Sequence, residues 1–146
     1  MIRKALAIAF SLTATSAMAQ MTPVGLWKTI DDNDGTAKAE IRIVETAGVL
    51  SGKIEKVLDP KASQDAVCEK CTDDRKGRTI VGLEIIRGVK KTDGKEVWEG
   101  GTIVDSTSGT IYKTRMTPID GGKKLEMRGY VGAPLFGRTQ TWIRIQ

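Results

Sequence analysis

The sequence predicts an all-β domain: an antiparallel meander of about eight strands that closes into an up-and-down barrel. Three observations carry that expectation. Apolar and polar residues alternate at every step in segments such as Ala37-Lys38-Ala39-Glu40-Ile41-Arg42-Ile43, as a half-buried strand requires. Short Gly- and Asp-containing turns separate the segments, and no helical period lasts long enough to compete. Eight strands joined in this way can close on themselves, which removes exposed edges and can enclose one small ligand. An open sandwich is the alternative architecture.

The chain begins MIRKALAIAFSLTATSAMAQ. Arg3 and Lys4, the apolar run Ala5 to Leu12, and Ala17-Met18-Ala19 form the positive region, core and cleavage pattern of a secretory signal peptide over residues 1–19. The apolar run is too short for an anchor. Residues 20–146 then form a single β-barrel domain, expected in the periplasm or outside the cell. Its first strand is expected at Val24 to Ile30, its second at Ala37 to Ile43, and its third at Val49 to Val57 after the turn Thr46-Ala47-Gly48. Val81, Leu83 and Ile85 alternate in the fourth, although Ile80 and Ile86 make its other face apolar too. Glu96 to Asp105 follows Lys91-Thr92-Asp93-Gly94, and Thr110 to Thr117 follows Ser106-Thr107-Ser108-Gly109. Lys123 to Val131 and Arg138 to Ile145 complete the set, the last with Thr139, Thr141, Ile143 and Ile145 on one face. One connection, residues 58–78, is too long for a hairpin turn and holds both cysteines. Ser63 is placed there to cap a short helix containing Asp65 and Ala66.

Charge and composition exclude several function classes. Without Arg3 and Lys4 the chain carries 21 basic and 18 acidic side chains, a net charge of +3, with the signs alternating. No basic stripe interleaved with aromatics is present, so nucleic acid is not an expected partner. Histidine is absent. That removes Ser-His-Asp and Cys-His nucleophile systems and the usual zinc and haem ligand sets. The acidic residues show no spacing that singles out a catalytic pair. The sequence therefore predicts no enzyme, no cofactor and no metal site.

GLWKT near the mature start, CEKCTDDRKGRTIVGLEIIRG, WEGGTIVD and GGKKLEMRGYVGAPLFGRTQTW together resemble a small exported bacterial family, domain of unknown function 2147. The resemblance spans nearly all of residues 23–145 and implies a lipocalin-like, calycin-type β-barrel with no established catalytic residues. Gly25-Leu26-Trp27 and the closing Trp142-Ile143-Arg144 are similar to the early G-x-W and late Arg of the lipocalin superfamily. In those barrels a guanidinium stacks on the indole at the closed end while keeping its donors for carbonyls. Trp27, Arg144 and Trp142 are thus barrel-end candidates, with Arg138 a rival for the Arg role, and Trp27 as a plain core residue stands beside that reading.

Cys68-Glu69-Lys70-Cys71 is the one motif with possible chemistry. Thr72 stands where haem attachment needs His, and the chain lacks four zinc ligands. An oxidising compartment favours a disulfide that staples the loop, with redox or metal function as alternatives. Asp31-Asp32-Asn33-Asp34-Gly35 has Ile30 where a calcium loop needs Asp, and it reads as a turn. Asp73-Asp74-Arg75-Lys76-Gly77-Arg78 reads as a solvated loop tip. Arg75 and Arg78 reach an anionic ligand only if that loop folds over the barrel mouth.

In GYVGAPLFGRTQTW, Gly132 and Gly137 bracket Ala133-Pro134-Leu135-Phe136. Proline cannot donate to a strand ladder, so this stretch should lie beyond the paired strands. Leu135 and Phe136 are expected to turn inward and cover one end of the barrel, either as a plug completing the core or as part of a ligand gate or partner contact. The leading expectation is an exported barrel that binds a small, largely apolar ligand. The alternative is an envelope structural or protein-interaction module with a side-chain-filled barrel.

Overall fold

The computed structural model describes residues 21–146. The expected signal peptide over residues 1–19 lies outside them. Eight strands follow in chain order: β1 (Gly25–Ile30), β2 (Ala37–Thr46), β3 (Val49–Val57), β4 (Glu84–Lys91), β5 (Trp98–Val104), β6 (Ile111–Ile119), β7 (Lys124–Tyr130) and β8 (Gly137–Arg144). Each pairs antiparallel with the next, and β8 returns to β1 to close the barrel. That closure excludes the open sandwich.

The chain order sorts the connections onto two ends. The hairpins β2–β3, β4–β5 and β6–β7 lie at one end with the start of β1 and the end of β8. Residues 31–36, 58–83, 105–110 and 131–136 make the connections at the other, which we call the open end.

Strand alternation and register together decide what points inward. Trp27 faces Ile41, Ile41 faces Ile54, Met116 faces Met127 and Leu125 faces Trp142. Trp27, Ile41, Ile43, Leu50, Ile86, Val89, Met116 and Leu125 are each 1% exposed or less and form the core. Full burial of side chains of this kind contributes about 1.5–3 kcal/mol apiece, so the closed half of the barrel is where the fold is held.

One strand reading needs correction. β4 begins at Glu84, so Val81 and Leu83 precede it. Ile85 is buried on the outside of the barrel beneath the long connection, while Ile86 and Val89 point inward and Leu83 is bonded through its backbone to the inward-facing Ile54. Both faces of β4 are therefore dry, which explains its lack of clean alternation. Between the pairs Leu50–Val89 and Gly52–Ile86, Ser51 of β3 stands opposite two residues of β4, Arg87 and Gly88, and the φ of +71° at Gly88 suits this bulge. In β8, the face carrying Thr139, Thr141 and Ile143 is the outer one. Arg138, Gln140, Trp142 and Arg144 form the inward row, opposite Gly129, Met127 and Leu125 of β7.

Candidate functional site

At the closed end the Arg144 guanidinium lies over the Trp27 ring, 4.2 Å from its centroid. Trp27 is fully buried, and its indole Nε1 donates to the Pro23 carbonyl at 2.7 Å. Arg144 donates to the carbonyls of Gly122 (2.6 Å), Val24 (2.8 Å), Gln146 (3.2 Å) and Thr22 (2.5 Å). These ties join the segment before β1, the β6–β7 turn and the C-terminus. Burial lowers the Arg144 pKa from the ordinary arginine value. The carbonyls and the indole face offset that desolvation. Arg138, the rival, stands at the opposite end of β8. Trp142 is buried in the core beside Leu125, with its Nε1 donating to Gln140 at 3.2 Å.

The long connection folds down the outer wall of β4 and β5 as a flap. Cys68 and Cys71 are joined by a disulfide with Cα atoms 5.5 Å apart, and both are buried. Cys68 Sγ lies 3.6 Å from the Ser106 carbonyl, and backbone bonds from Cys68 to Arg78 and from Gly77 to Cys68 tie the flap to itself. Both cysteines belong to the same buried cluster as Leu83, Ile85 and Val104. Ser63 starts no helix; within a single turn its hydroxyl accepts from the Asp65 amide and its carbonyl from the Ala66 amide. Arg75 is buried rather than at a solvated tip, and it donates to both oxygens of Asp73 and to the Glu84 carbonyl at 3.2 Å. Those bonds to Arg75 pull the Asp73 carboxyl down to about 2.

Two expected results follow for the flap. Cys68→Ser with Cys71→Ser should lower stability by about 2 kcal/mol, the low end for disulfides because the closed ring is small. Amide exchange should quicken in residues 58–83 while the barrel strands stay protected, and thiol titration of the unreduced protein should find none. Asp73 also carries a pH dependence. Its folded pKa lies below the unfolded 3.8, so its contribution is complete above that value and is lost as pH falls toward about 2. The protection of the flap amides, relative to intrinsic exchange at each pH, should therefore fall from pH 4 to pH 2 and return at neutral pH.

The open end is built differently. Register and alternation turn Thr29, Ala39, Val57, Ile103, Tyr112, Gly129, Arg138 and Gln140 inward there. Ala39, Val57 and Ile103 are only partly buried against the core. Partly buried and polar side chains thus replace the fully buried apolar ones of the closed half. Backbone pairing between β1 and β8 is confined to Trp27–Arg144 and Lys28–Ile143. Nearer the open end a side-chain latch spans the two strands. The Arg138 guanidinium donates to Asp32 on the β1–β2 turn, and Gln140 Nε2 approaches the same carboxylate at 3.5 Å. Asp32 is held below the usual carboxylate range chiefly by its hydrogen bond from Arg138. The turn itself is an Asx-type turn, with Asp31 and Asp34 side chains capping the Asn33 and Thr36 amides.

Leu135 and Phe136 do not turn inward. They are 80% and 76% exposed, and Val131 beside them is 64% exposed. The plug reading is therefore overturned. The reason lies in Arg128, which donates to the Pro134 carbonyl (2.7 Å), the Leu135 carbonyl (3.4 Å) and Thr139 Oγ1 (2.7 Å). A single turn over Pro134–Phe136, closed by the Phe136 amide on Ala133, is thereby fixed with its apolar side chains in water. Among the described residues no group of three or more His, Cys, Asp or Glu side chains is placed to hold a metal ion.

Residues 25–144 match the family described as "Uncharacterized protein conserved in bacteria (DUF2147)". The chain belongs to the DUF2147 family. Its structure is similar to that of protein HP1028 from the human pathogen Helicobacter pylori, described as belonging to the lipocalin family. The two share 18% identity over 84% of this chain and 82% of that one, with a TM-score of 0.71. At that identity the likeness speaks to the fold, and this DUF2147 chain carries a lipocalin-like barrel. No curated protein matches it.

The predicted residues of this DUF2147 chain therefore fall into three separate places. Trp27, Arg144 and Trp142 gather toward the closed end, Cys68 and Cys71 lie in the outer flap, and Leu135 and Phe136 stand on the open rim. Sequence reasoning missed the Arg128 clamp and the Asp32–Arg138–Gln140 latch. The inward parity of Arg138 and Gln140 with Trp142 was a usable signal for the latch; nothing in the sequence points to the clamp.

Proposed function

We propose that this protein is an exported barrel that takes a small, largely apolar molecule at its open end. The observation that carries this reading is the contrast between the two halves of the interior. The closed half is filled by buried aliphatic and aromatic side chains, whereas Ala39, Val57, Ile103, Tyr112 and Gly129 surround the open end with smaller or partly exposed ones. An open end lined by partly buried apolar side chains, with polar groups of Gln140, Arg138 and Asp32 at its edge, would suit a molecule that is mostly hydrocarbon. The rim residues Val131, Leu135 and Phe136 extend that surface into solvent, where an apolar patch calls for a partner. The signal-peptide pattern of residues 1–19 supports export to the periplasm or beyond.

The filled closed half favours a second reading, an envelope interaction module that meets a protein through the same rim. An uncharged fluorescent probe, N-phenyl-1-naphthylamine, separates the two. It should bind saturably, and Phe136→Ala should weaken it about fivefold, from about 1 kcal/mol of lost contact. Stability should change by less than about 0.5 kcal/mol, as expected for an exposed position. Absence of saturable probe binding would leave the protein-interaction reading in its place.

A further inference from the structure

The outer wall of the barrel carries a groove that lies away from the mouth. Two clefts, of about 490 and 420 Å³, share Lys53, Val81 and Gly82 and so run together where the flap meets β3. Their walls differ in chemistry. The first is lined by Lys53, Arg75, Arg78 and Arg87 against a single carboxylate, that of Glu84. In the second, Val44, Ile54 and Val81 make an apolar strip beside Ser51 and the Arg42–Glu55 ion pair, whose charges are engaged with each other at 3.0 Å, and Val44 is exposed on the outer face of β2.

The charges of the first cleft are not balanced from within. Glu84 accepts from Arg87 at 2.6 Å, and Asp74 binds the two terminal nitrogens of Arg87 at 2.9 Å each. Asp73 is engaged by Arg75. The three nearby carboxylates are thus taken by two arginines. Lys53 faces Glu84 in register across β3 and β4, yet no described hydrogen bond or ion pair involves its ammonium. Arg78 donates through Nε to the Asp74 carbonyl at 3.0 Å, and no described bond uses its terminal nitrogens. Its backbone is fixed, because its amide donates to Arg75 and its carbonyl accepts from Cys68.

Two cations with unused donors therefore stand on a concave wall, beside two immobilised guanidinium groups. Such forked donors match oxyanions. We infer that this outer groove binds a single free amphiphile, its phosphate- or carboxylate-type head at Lys53 and Arg78 and its apolar tail along Val81 and Val44. Charge complementarity selects the head, and the apolar continuation of the groove selects the tail. A bilayer is not the occupant, since the surface is recessed between the flap and β2 rather than raised.

Dodecyl phosphate below its micellar concentration is the probe, titrated against the mature chain by calorimetry and amide NMR. Perturbed amides should cluster at 51–54 and 77–84. Lys53→Glu with Arg78→Glu, both exposed and outside any ion pair, should weaken binding at least tenfold. That variant should leave N-phenyl-1-naphthylamine binding at the mouth unaltered, so failure of one site is distinguishable from failure of the other. Inorganic phosphate and decanol should each bind at least tenfold more weakly than dodecyl phosphate. Equal affinity for inorganic phosphate would reduce the groove to an anion site and overturn the amphiphile. Unchanged affinity in the double variant, or co-sedimentation with phosphatidylglycerol vesicles without binding of the monomeric probe, would overturn it as well.

Discussion

Replacing Trp27 by alanine is expected to cost about 3–5 kcal/mol, a large share of the roughly 5–15 kcal/mol by which an ordinary domain is stable. The indole is fully buried, faces Ile41 across β1 and β2, and bonds the Pro23 carbonyl. Its removal leaves a cavity and withdraws the surface on which the Arg144 guanidinium rests. The loss should be larger than for truncation of any rim residue. Urea unfolding of residues 20–146 would measure it. Trp27→Phe should recover roughly half, because the ring volume returns while the Pro23 bond does not. A loss below about 1 kcal/mol for Trp27→Ala would mean that the closed end is not what holds the barrel.

Gly109→Ala is the second large effect expected, about 2–4 kcal/mol from backbone strain and steric overlap together. Gly109 has a φ of +74°, which L side chains rarely adopt, and it is buried in the β5–β6 turn. A methyl group there would run into the Lys70 carbonyl oxygen of the flap. Neither backbone can yield cheaply, since Cys68 and Cys71 hold the flap loop tightly closed. The flap should therefore lift from Val104, and amide exchange should quicken at residues 66–80. Gly94→Ala is the control. Its φ of +71° is similar, but nothing lies near the added methyl, so it reports strain alone.

The barrel is legible in the sequence because one dry face per strand imposes a period of two, and β2, β6 and β7 obey it. β4 escapes that logic. Ile85 is buried by the flap and Ile86 by the barrel interior, so a strand with two dry faces loses the alternation that marks its ends. The choice between Arg138 and Arg144 is also hidden. Both point inward from β8, and only the pairing of Trp27 with Arg144 decides which one meets the indole. Leu135 and Phe136 show a different limit. Apolar residues outside any strand have no period to orient them, and apolar character alone does not imply burial. Their outward position depends on Arg128, a residue that sequence periodicity marks only as an ordinary outward strand position. Cys68 and Cys71 were readable as a disulfide from spacing and compartment, but their burial against the β5–β6 turn was not.

The central claim is that the open half of the barrel, and not the closed half, receives a small apolar molecule. An amide NMR titration of residues 20–146 with N-phenyl-1-naphthylamine tests it most directly. The account predicts saturable shifts at Ala39, Ile103, Tyr112, Gly129 and residues 131–136, with Ile43, Leu50, Leu125 and Trp142 unmoved. Shifts confined to the closed end, or none that saturate at the mouth, would contradict it.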